Sequence, residues 1–265
     1  MLNFSVSGEG SAIVFLHGFL ESNSMWDYLA LQQLNFQKIF IELPGHGQSA
    51  LRDDSDQPSL KFYVKEVQEV LSFLKIEKFS IVGHSLGASV ALILKEQNVG
   101  CQKVVLLNSN FWADSEQKKK DRLRVAEIAF KAKKVFINEA IPNLFGQVEL
   151  FQNEIEDLKE EAMKIEPESI AYAALAMRQR KDYSHMIAEN PSDFFIIHGV
   201  LDRLVTTEFL MEQTKLIFKE QLANHLFIIN EAGHMAHIEA SEIVMNLLKL
   251  IFCKVGFNPN SQKAY

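Results

Sequence analysis

Short apolar runs, rich in β-branched and aromatic residues, recur along the chain and are separated by longer stretches with helical periodicity. The strand-like runs lie at residues 12–16, 38–41, 79–82, 104–107, 194–197 and 226–229. In one intervening stretch, Val64, Val67, Leu71 and Leu74 recur at the spacing of one helix face, as in an amphipathic helix that packs on a core. Strand and helix signals that alternate in this way predict a mostly parallel sheet with helices on both faces.

The alternation is interrupted from residue 111 to residue 190, where charged residues at helical spacing replace the strand signal. The first part of this stretch is basic, from Lys118 to Lys134, and the second is acidic, from Glu154 to Glu161. Such charge runs are typical of solvated helix faces. We therefore predict a helical lid inserted into one α/β domain, followed by a polar tail. The predicted segments are 1–110 and 191–257 for the core domain, 111–190 for the lid and 258–265 for the tail.

Composition narrows the class of protein further. The chain has 265 residues, a net charge of −7 and 48% hydrophobic residues, so it can bury a large core and carries no basic excess for nucleic acid. No apolar run approaches the ~18 residues of a membrane span, and the N-terminal residues lack the pattern of a signal peptide. The two cysteines, Cys101 and Cys253, have neither disulfide-framework nor metal-site spacing. We expect a cytoplasmic protein without metal or cofactor, and the sequence carries no signal for its oligomeric state.

The segment Gly83-His84-Ser85-Leu86-Gly87 carries the strongest chemical signal. It lies between the strand-like run 79–82 and a run of small residues, 88–94, that is typical of a buried helix. A G-x-S-x-G turn between a strand and a helix is the pattern of a nucleophile elbow, in which a sharp turn exposes the serine hydroxyl. Glycines are needed at its ends because side chains there would meet the neighbouring strand and helix. The pattern predicts Ser85 as a nucleophile.

A serine nucleophile needs a base and an acid that orients the base, and two later strand ends supply them. Asp202 follows the run 194–197, and His234 follows the run 226–229. The carboxyl ends of parallel strands share one edge of a sheet, so Ser85, Asp202 and His234 can converge there. The backbone N–H groups of Phe19 and Leu86 are the candidates for an oxyanion hole.

Two other residues compete for these roles. His237 lies one turn after His234, but His234 directly follows the strand and Gly233. Asp114 follows the preceding strand, but at a distance of several residues, and the positions where such an acid would stand are Asn108 and Ser109. We therefore prefer His234 as the base and Asp202 as the acid.

Together these motifs resemble the α/β-hydrolase superfamily. The segments that carry the resemblance are His17-Gly18-Phe19, Leu43-Pro44-Gly45-His46-Gly47-Gln48-Ser49, Gly83–Gly87, Gly199–Asp202 and Gly233-His234. The resemblance implies the α/β-hydrolase fold, a serine triad, an oxyanion hole shared by Phe19 and Leu86, and a lidded pocket. Only one strand fits before Gly8, so we expect about seven strands where the family usually has eight. Glu42 stands where the family usually has Asp, at a turn whose role is structural.

The leading functional prediction is a serine hydrolase that cleaves a carboxylic ester, thioester or lactone through an acyl-enzyme. Serine at position 85 argues against the haloalkane dehalogenase and epoxide hydrolase branches, which use Asp there. A C–C bond hydrolase or lyase with the same triad is the alternative. One such relative, the menaquinone-pathway carboxylate synthase, typically carries Arg shortly after the nucleophile, where this chain has Ala88-Ser89-Val90. A ligand receptor on this fold is a further alternative, which multiple-turnover kinetics would distinguish.

Several side chains are candidates for binding a small ester-like substrate. Phe111, Trp112 and Met235 lie near the predicted mouth of the pocket and are candidates to line an acyl site, with core packing as the alternative. Arg178 and Arg180 precede the strand that delivers the acid, and either is a candidate to clamp a substrate carboxylate or phosphate. The alternative for these arginines is a surface pairing with lid acids such as Glu160 or Glu161.

Overall fold

Seven strands form one sheet in the part of the chain that the computed structural model describes, namely residues 1–52, 57–98 and 100–253. The predicted tail 258–265 lies outside these residues. The strands are β1 Phe4–Ser7, β2 Ala12–Leu16, β3 Gln37–Ile41, β4 Phe79–His84, β5 Cys101–Leu107, β6 Phe194–Gly199 and β7 Leu226–Ile229. Their order is β1-β3-β2-β4-β5-β6-β7, and only β1 runs antiparallel to its neighbour. The predicted mostly parallel sheet of about seven strands is confirmed.

Helices flank this sheet on both faces. They are α1 Leu60–Phe73, α2 Leu86–Gln97, α3 Glu116–Ala140, α4 Gln152–Ala162, α5 Pro167–Arg178, α6 Ser184–Glu189, α7 Thr207–Phe218, α8 Ala236–Glu239 and α9 Ser241–Phe252. Four of them, α3 to α6, lie between β5 and β6, and we call these helices and the segments that connect them the helical insert. Within the described ranges, no helix has the length and apolar character needed to cross a membrane.

Local sequence explains where several elements begin and which faces they bury. Ser59 caps α1, because its hydroxyl accepts a hydrogen bond from the N–H of Lys61. Val64, Val67 and Leu71 are buried on one face of α1, as their spacing predicts. Every residue of β2 and of β4 is buried, which is typical of central parallel strands covered on both faces.

The core consists of two layers separated by the sheet, and successive residues of β2 point into opposite layers. Val14 packs in the layer that contains α1 and α2, whereas Phe15 packs with Trp26 and Leu248 in the layer that contains α9. A third apolar cluster holds the helical insert to one edge of the sheet, where insert residues such as Phe145 pack with Leu20 and Met235.

The carboxyl ends of the parallel strands meet at this same edge. In the sheet register, Leu16 pairs with Gly83 and His84 with Leu107, so the loops after β2, β4 and β5 start side by side. Gly199 pairs with Ile229, which brings the loops after β6 and β7 next to each other. The loops that carry the predicted chemistry therefore lie together beneath the helical insert.

Candidate active site

Ser85 stands on a sharp turn between β4 and α2. Its backbone has φ 48° and ψ −107°, a conformation that L-residues rarely adopt and that is common at functional sites. A Cβ atom on Gly83 would lie 2.6 Å from the backbone of Ala88, and one on Gly87 would lie 2.3 Å from the carbonyl oxygen of Leu16. Both flanking glycines are therefore required by close packing, and the turn has the geometry of a nucleophile elbow.

Asp202 and His234 form a buried hydrogen-bonded pair. His234 Nδ1 donates to Asp202 Oδ2 at 2.8 Å, and the backbone N–H groups of Leu204 and Val205 donate to Asp202 Oδ1 at 2.8 and 3.2 Å. Burial acts to raise the pKa of Asp202, but His234 and these hydrogen bonds outweigh it and lower the pKa to about 2. Asp202 is therefore a carboxylate at neutral pH, and it holds the proton of His234 on Nδ1, which leaves Nε2 free to accept a proton.

Asn108 is a third partner in this network that sequence reasoning did not assign. Its Nδ2 donates to the carbonyl oxygen of Gly233 at 2.9 Å and lies 3.3 Å from Asp202 Oδ2. Its backbone lies in the left-handed region, with φ 44°, where Asn is one of the better-tolerated residues. Its position directly after β5, at the same edge as the other strand ends, is the signal that could have revealed this role.

Ser85 and His234 line one cavity of about 290 Å³ between the sheet edge and the helical insert. Ser85 Oγ and His234 Nε2 are not hydrogen-bonded to each other, or to any other residue that the structure describes. Proton transfer requires the two atoms to approach within hydrogen-bond reach, and this often occurs only when substrate is bound. Apolar side chains from both sides form much of the wall, among them Leu204 of the core and Val125, Phe136 and Met177 of the insert.

The two predicted oxyanion-hole residues lie on opposite loops. Leu86 is the first residue of α2, so its N–H has no partner within the helix, and Phe19 lines the cavity in the loop after β2. Across residues 1–52, 57–98 and 100–253, no carbonyl or side chain accepts a hydrogen bond from the N–H of Phe19 or Leu86. Both N–H groups are therefore available as donors, which an oxyanion hole would require.

Next to Ser85 in the chain, His84 forms an ion pair with Glu21 that is almost completely buried. His84 Nδ1 donates to Glu21 Oε2 at 2.9 Å, and His84 Nε2 donates to the backbone oxygen of His234 at 2.9 Å. Burial opposes charge on His84, but Glu21 outweighs it and raises the pKa of His84; likewise His84 lowers the pKa of Glu21 to about 2 against the effect of burial. Glu21 also accepts the N–H of Gly18 at 2.6 Å. The pair therefore ties the loop after β2 to the backbone of His234.

His237, the alternative candidate for the base, lies in the surroundings of a residue that serves packing. His237 is fully buried, its ring lies 5.0 Å from that of His84, and neither ring nitrogen has a hydrogen-bond partner among the described residues. Burial lowers the pKa of His237 to about 3, and His237 does not line the cavity. His17 likewise shapes a loop, because its Nε2 accepts the N–H of Leu43 at 2.9 Å.

Only one of the predicted substrate-binding side chains lies at the cavity, and that is Arg180. Phe111 is buried against Trp112, which in turn packs on Phe209. Met235 is buried in the apolar cluster below the insert, and Arg178 is half-buried away from the cavity wall. Arg180 pairs with Asp114, the rival candidate for the catalytic acid, at 2.6 Å.

Lys118 and Arg122 also line the cavity, although their basic run suggests a solvated helix face. They lie four residues apart on α3, and Val125, one turn further along, lines the cavity as well. Their spacing of i, i+4 and i+7 places all three on one helix face, and this could have indicated that they face the cavity. The lysines next to them in sequence made that pattern hard to recognise.

Glu239 joins the helical insert to the loop that carries His234. Its carboxylate accepts the backbone N–H of Gly146 and of Gly233 at 2.7 Å each, and that of Gln147 at 3.2 Å. The N–H of His234 itself donates to the carbonyl oxygen of Leu144 at 2.7 Å. The position of the histidine loop therefore depends on the insert.

Comparison with known proteins agrees with this geometry. The model of the alpha/beta hydrolase family matches residues 13–246, which include all the elements of the site. The chain belongs to the alpha/beta hydrolase family. Among solved structures, a thermophilic esterase from Thermogutta terrifontis is similar to this chain, with a TM-score of 0.84 and 23% identity. The match covers 97% of this chain and 94% of that one. The enol-lactonase from Burkholderia xenovorans LB400 gives a TM-score of 0.78 at 18% identity, covering 96% of each chain. At these identities the likeness shows a shared fold.

Among curated sequences, a serine hydrolase-like protein of Danio rerio is 35% identical over 83 residues, which are 31% of this chain and 26% of that protein. The dihydrolipoyllysine-residue acetyltransferase component of the acetoin cleaving system of Pseudomonas putida is 26% identical over 255 residues, which are 91% of this chain and 63% of that protein. The chain therefore spans less than two thirds of either relative.

Proposed function

We propose that this alpha/beta hydrolase is a serine hydrolase that cleaves a carboxylic ester, thioester or lactone, with Ser85, His234 and Asp202 as its triad. The observation that carries the proposal is the Asp202–His234 hydrogen bond of 2.8 Å at a cavity that the strained Ser85 also lines. A small-molecule substrate and a cytoplasmic location belong to the same proposal.

In the proposed reaction, Ser85 Oγ attacks the substrate carbonyl carbon while His234 Nε2 takes the hydroxyl proton. Asp202 stabilises the imidazolium that forms, and the N–H groups of Phe19 and Leu86 bind the negative charge on the carbonyl oxygen. The tetrahedral intermediate then collapses, and the leaving alcohol or thiol receives the proton from His234. Water, deprotonated by His234, releases the acid from Ser85 in the second half of the cycle.

The helical insert is proposed to act as a lid over this site. It supplies apolar wall residues such as Val125 and Phe136 opposite Ser85, and its helices pack on the sheet edge through the third apolar cluster. A lid that excludes water strengthens the electrostatic interactions in the site and sets which acyl chains fit.

Covalent labelling combined with an ester panel tests the proposal. A fluorophosphonate probe should modify Ser85 and abolish hydrolysis of esters of graded acyl length, and Ser85→Ala should lose both label and activity. Ser89 also lines the cavity, so Ser89→Ala is the matched control and should keep the label. A C–C hydrolase substrate is run beside the esters, because the same triad serves that reaction. Label on another serine of an active enzyme would refute the assignment.

A further inference from the structure

Three cationic side chains meet at one part of the cavity wall. Lys118 and Arg122 project from α3, and Arg180 follows α5. The side chains of Arg122 and Arg180 are only 17% and 10% exposed. Burial of several like charges is costly unless opposite charges balance them.

One buried carboxylate balances part of this charge. Asp114 Oδ2 lies 3.1 Å from Arg122 Nε, and Asp114 Oδ1 lies 2.6 Å from Arg180 Nη2. Asp121 also borders the cavity, but it lies at the half-exposed outer side, where Gln117 and Arg124 contact it. Lys118, Arg122 and Arg180 against Asp114 and this partly exposed Asp121 still leave a formal surplus of one positive charge.

Two hydrogen-bond donors of these cationic side chains have no partner among the described residues. Arg180 Nε is buried and has no hydrogen-bond partner, and Lys118 Nζ donates to no residue within the described ranges. Burial lowers the pKa of Lys118, and the nearby Arg122 and Arg180 lower it further while Asp114 and Asp121 oppose them. An anion bound here would accept these donors and compensate the excess charge.

We propose that the substrate is an ester, thioester or lactone that carries a free carboxylate, which Lys118, Arg122 and Arg180 bind. The inference rests on the proposed serine-hydrolase function and adds the substrate class. The cationic group and the nucleophile line one cavity of about 290 Å³, which is at the small end for ligand sites. The remaining wall is largely apolar. A short aliphatic substrate with an acidic group at one end satisfies both the apolar wall and the unused donors.

The test compares two matched esters with the same acyl length, p-nitrophenyl hydrogen adipate and p-nitrophenyl hexanoate. A second pair places the carboxylate on the alcohol side instead, as the acetate esters of 4-hydroxybutyrate and of butanol. We expect kcat/KM for the acidic ester to exceed that for the neutral ester by ~10-fold or more in at least one pair, as expected for a hydrogen bond to a charged group. Equal values in both pairs would overturn the proposal.

Variants then assign the preference to these side chains. In Lys118→Gln and Arg122→Gln, the ratio of acidic to neutral kcat/KM should fall by ~10-fold, chiefly through KM. Lys118→Gln removes no bond to a described residue, so it is the variant least able to disturb folding. Arg124→Gln is the matched control on the same helix, because Arg124 is 80% exposed and does not line the cavity. An unchanged ratio in both cavity variants would refute the assignment.

Two further measurements separate the possible outcomes. Adipate should inhibit hydrolysis of the neutral ester competitively, and stronger inhibition by inorganic phosphate would overturn the choice of a carboxylate. Fluorophosphonate labelling of Ser85 is measured on the same samples. Labelled, active enzyme without acid preference contradicts only the substrate class, whereas absence of labelling and of any ester hydrolysis contradicts the serine-hydrolase function itself.

Discussion

Replacement of Asp202 by asparagine tests the acid of the triad with almost no change of shape. The asparagine oxygen can still accept the N–H groups of Leu204 and Val205, which bind Asp202 Oδ1. The amide nitrogen then takes the place of Oδ2 and faces His234 Nδ1, which is 2.8 Å away in the native protein. Two donors cannot share that contact, so His234 Nδ1 becomes an acceptor and the proton moves to Nε2.

The wrong tautomer removes general-base catalysis, because a protonated Nε2 cannot take the proton of Ser85. The corresponding change in a serine protease lowers kcat about 10⁴-fold, and we expect a loss of ~10³ to 10⁴ here, or about 4 to 5.5 kcal/mol of transition-state stabilisation. The amide nitrogen also faces Asn108 Nδ2, which lies 3.3 Å from Asp202 Oδ2. This donor–donor contact should lower the free energy of unfolding by about 1–3 kcal/mol.

The assay is steady-state hydrolysis of a neutral p-nitrophenyl ester, with circular dichroism as the check on folding. Asp193→Asn is the matched control, because Asp193 pairs with Lys95 and does not line the cavity. Activity of a folded Asp202→Asn variant within tenfold of the native value would refute the assigned acid. Loss of activity in Asp114→Asn with retention in Asp202→Asn would place the acid at Asp114.

Three further predictions concern the loops around the site. Glu21→Gln leaves His84 without its counter-charge, and we expect the free energy of unfolding to fall by about 3 kcal/mol near pH 6, measured by thermal denaturation. The pKa of Glu21 is lowered from 4.5 to about 2, so this stabilisation is present above pH ~4.5 and is lost as the pH falls toward 2, where the two melting curves converge. The free energy of unfolding of Ser85→Gly should exceed that of Ser85→Ala by about 1 kcal/mol, with a higher melting temperature, because glycine adopts φ 48° without strain. Glu239→Gln weakens the acceptor of three backbone N–H groups and should lower the free energy of unfolding by about 1–3 kcal/mol. Amide hydrogen exchange at Gly146 and Gly233 should become faster.

Each of these predictions has a clear contradicting result. A difference between native protein and Glu21→Gln that persists unchanged to pH 2 would mean that Glu21 is not charged in the folded state. Equal melting temperatures for the glycine and alanine variants of Ser85 would show that the elbow stores no backbone strain. Unchanged exchange at Gly146 in Glu239→Gln would show that the carboxylate does not hold the insert.

The positions of the parallel strands along the chain and the residues at their ends were accessible from the sequence, because burial on both faces leaves uninterrupted apolar runs. The elbow was recognisable for the same reason: its glycines fit only between a buried strand and a helix. Substrate-binding residues that were chosen only for their position in the sequence were harder to predict. Phe111 and Met235 are near the site in sequence, but their side chains pack into the core, and no periodicity distinguishes these two outcomes.

Partners that are remote in sequence could not be predicted. Glu21 and His84 are 63 residues apart, and Asn108 and Gly233 are 125 residues apart, so only the folded sheet edge brings them together. Lys118 and Arg122 belong to a basic run that also contains exposed residues, such as Lys120 and Arg124. Which face of α3 meets the cavity is set by packing against α5, which the local sequence does not encode.

The hydrogen bond from His234 N–H to Leu144 O has a consequence for how this scaffold can be altered. Exchange of the insert helices between related hydrolases is a natural route to new specificities, and here the boundaries of such an exchange matter. A Cβ on Gly233 would lie 2.4 Å from the N–H nitrogen of Gly146, so the two backbones are already at their closest approach. A chimera that replaces α3 together with residues 144–146 would shift the loop that carries His234, whereas one that keeps those three residues and exchanges α4 and α5 would leave the loop in place. Diversification of the helical insert should therefore be easiest downstream of Gly146.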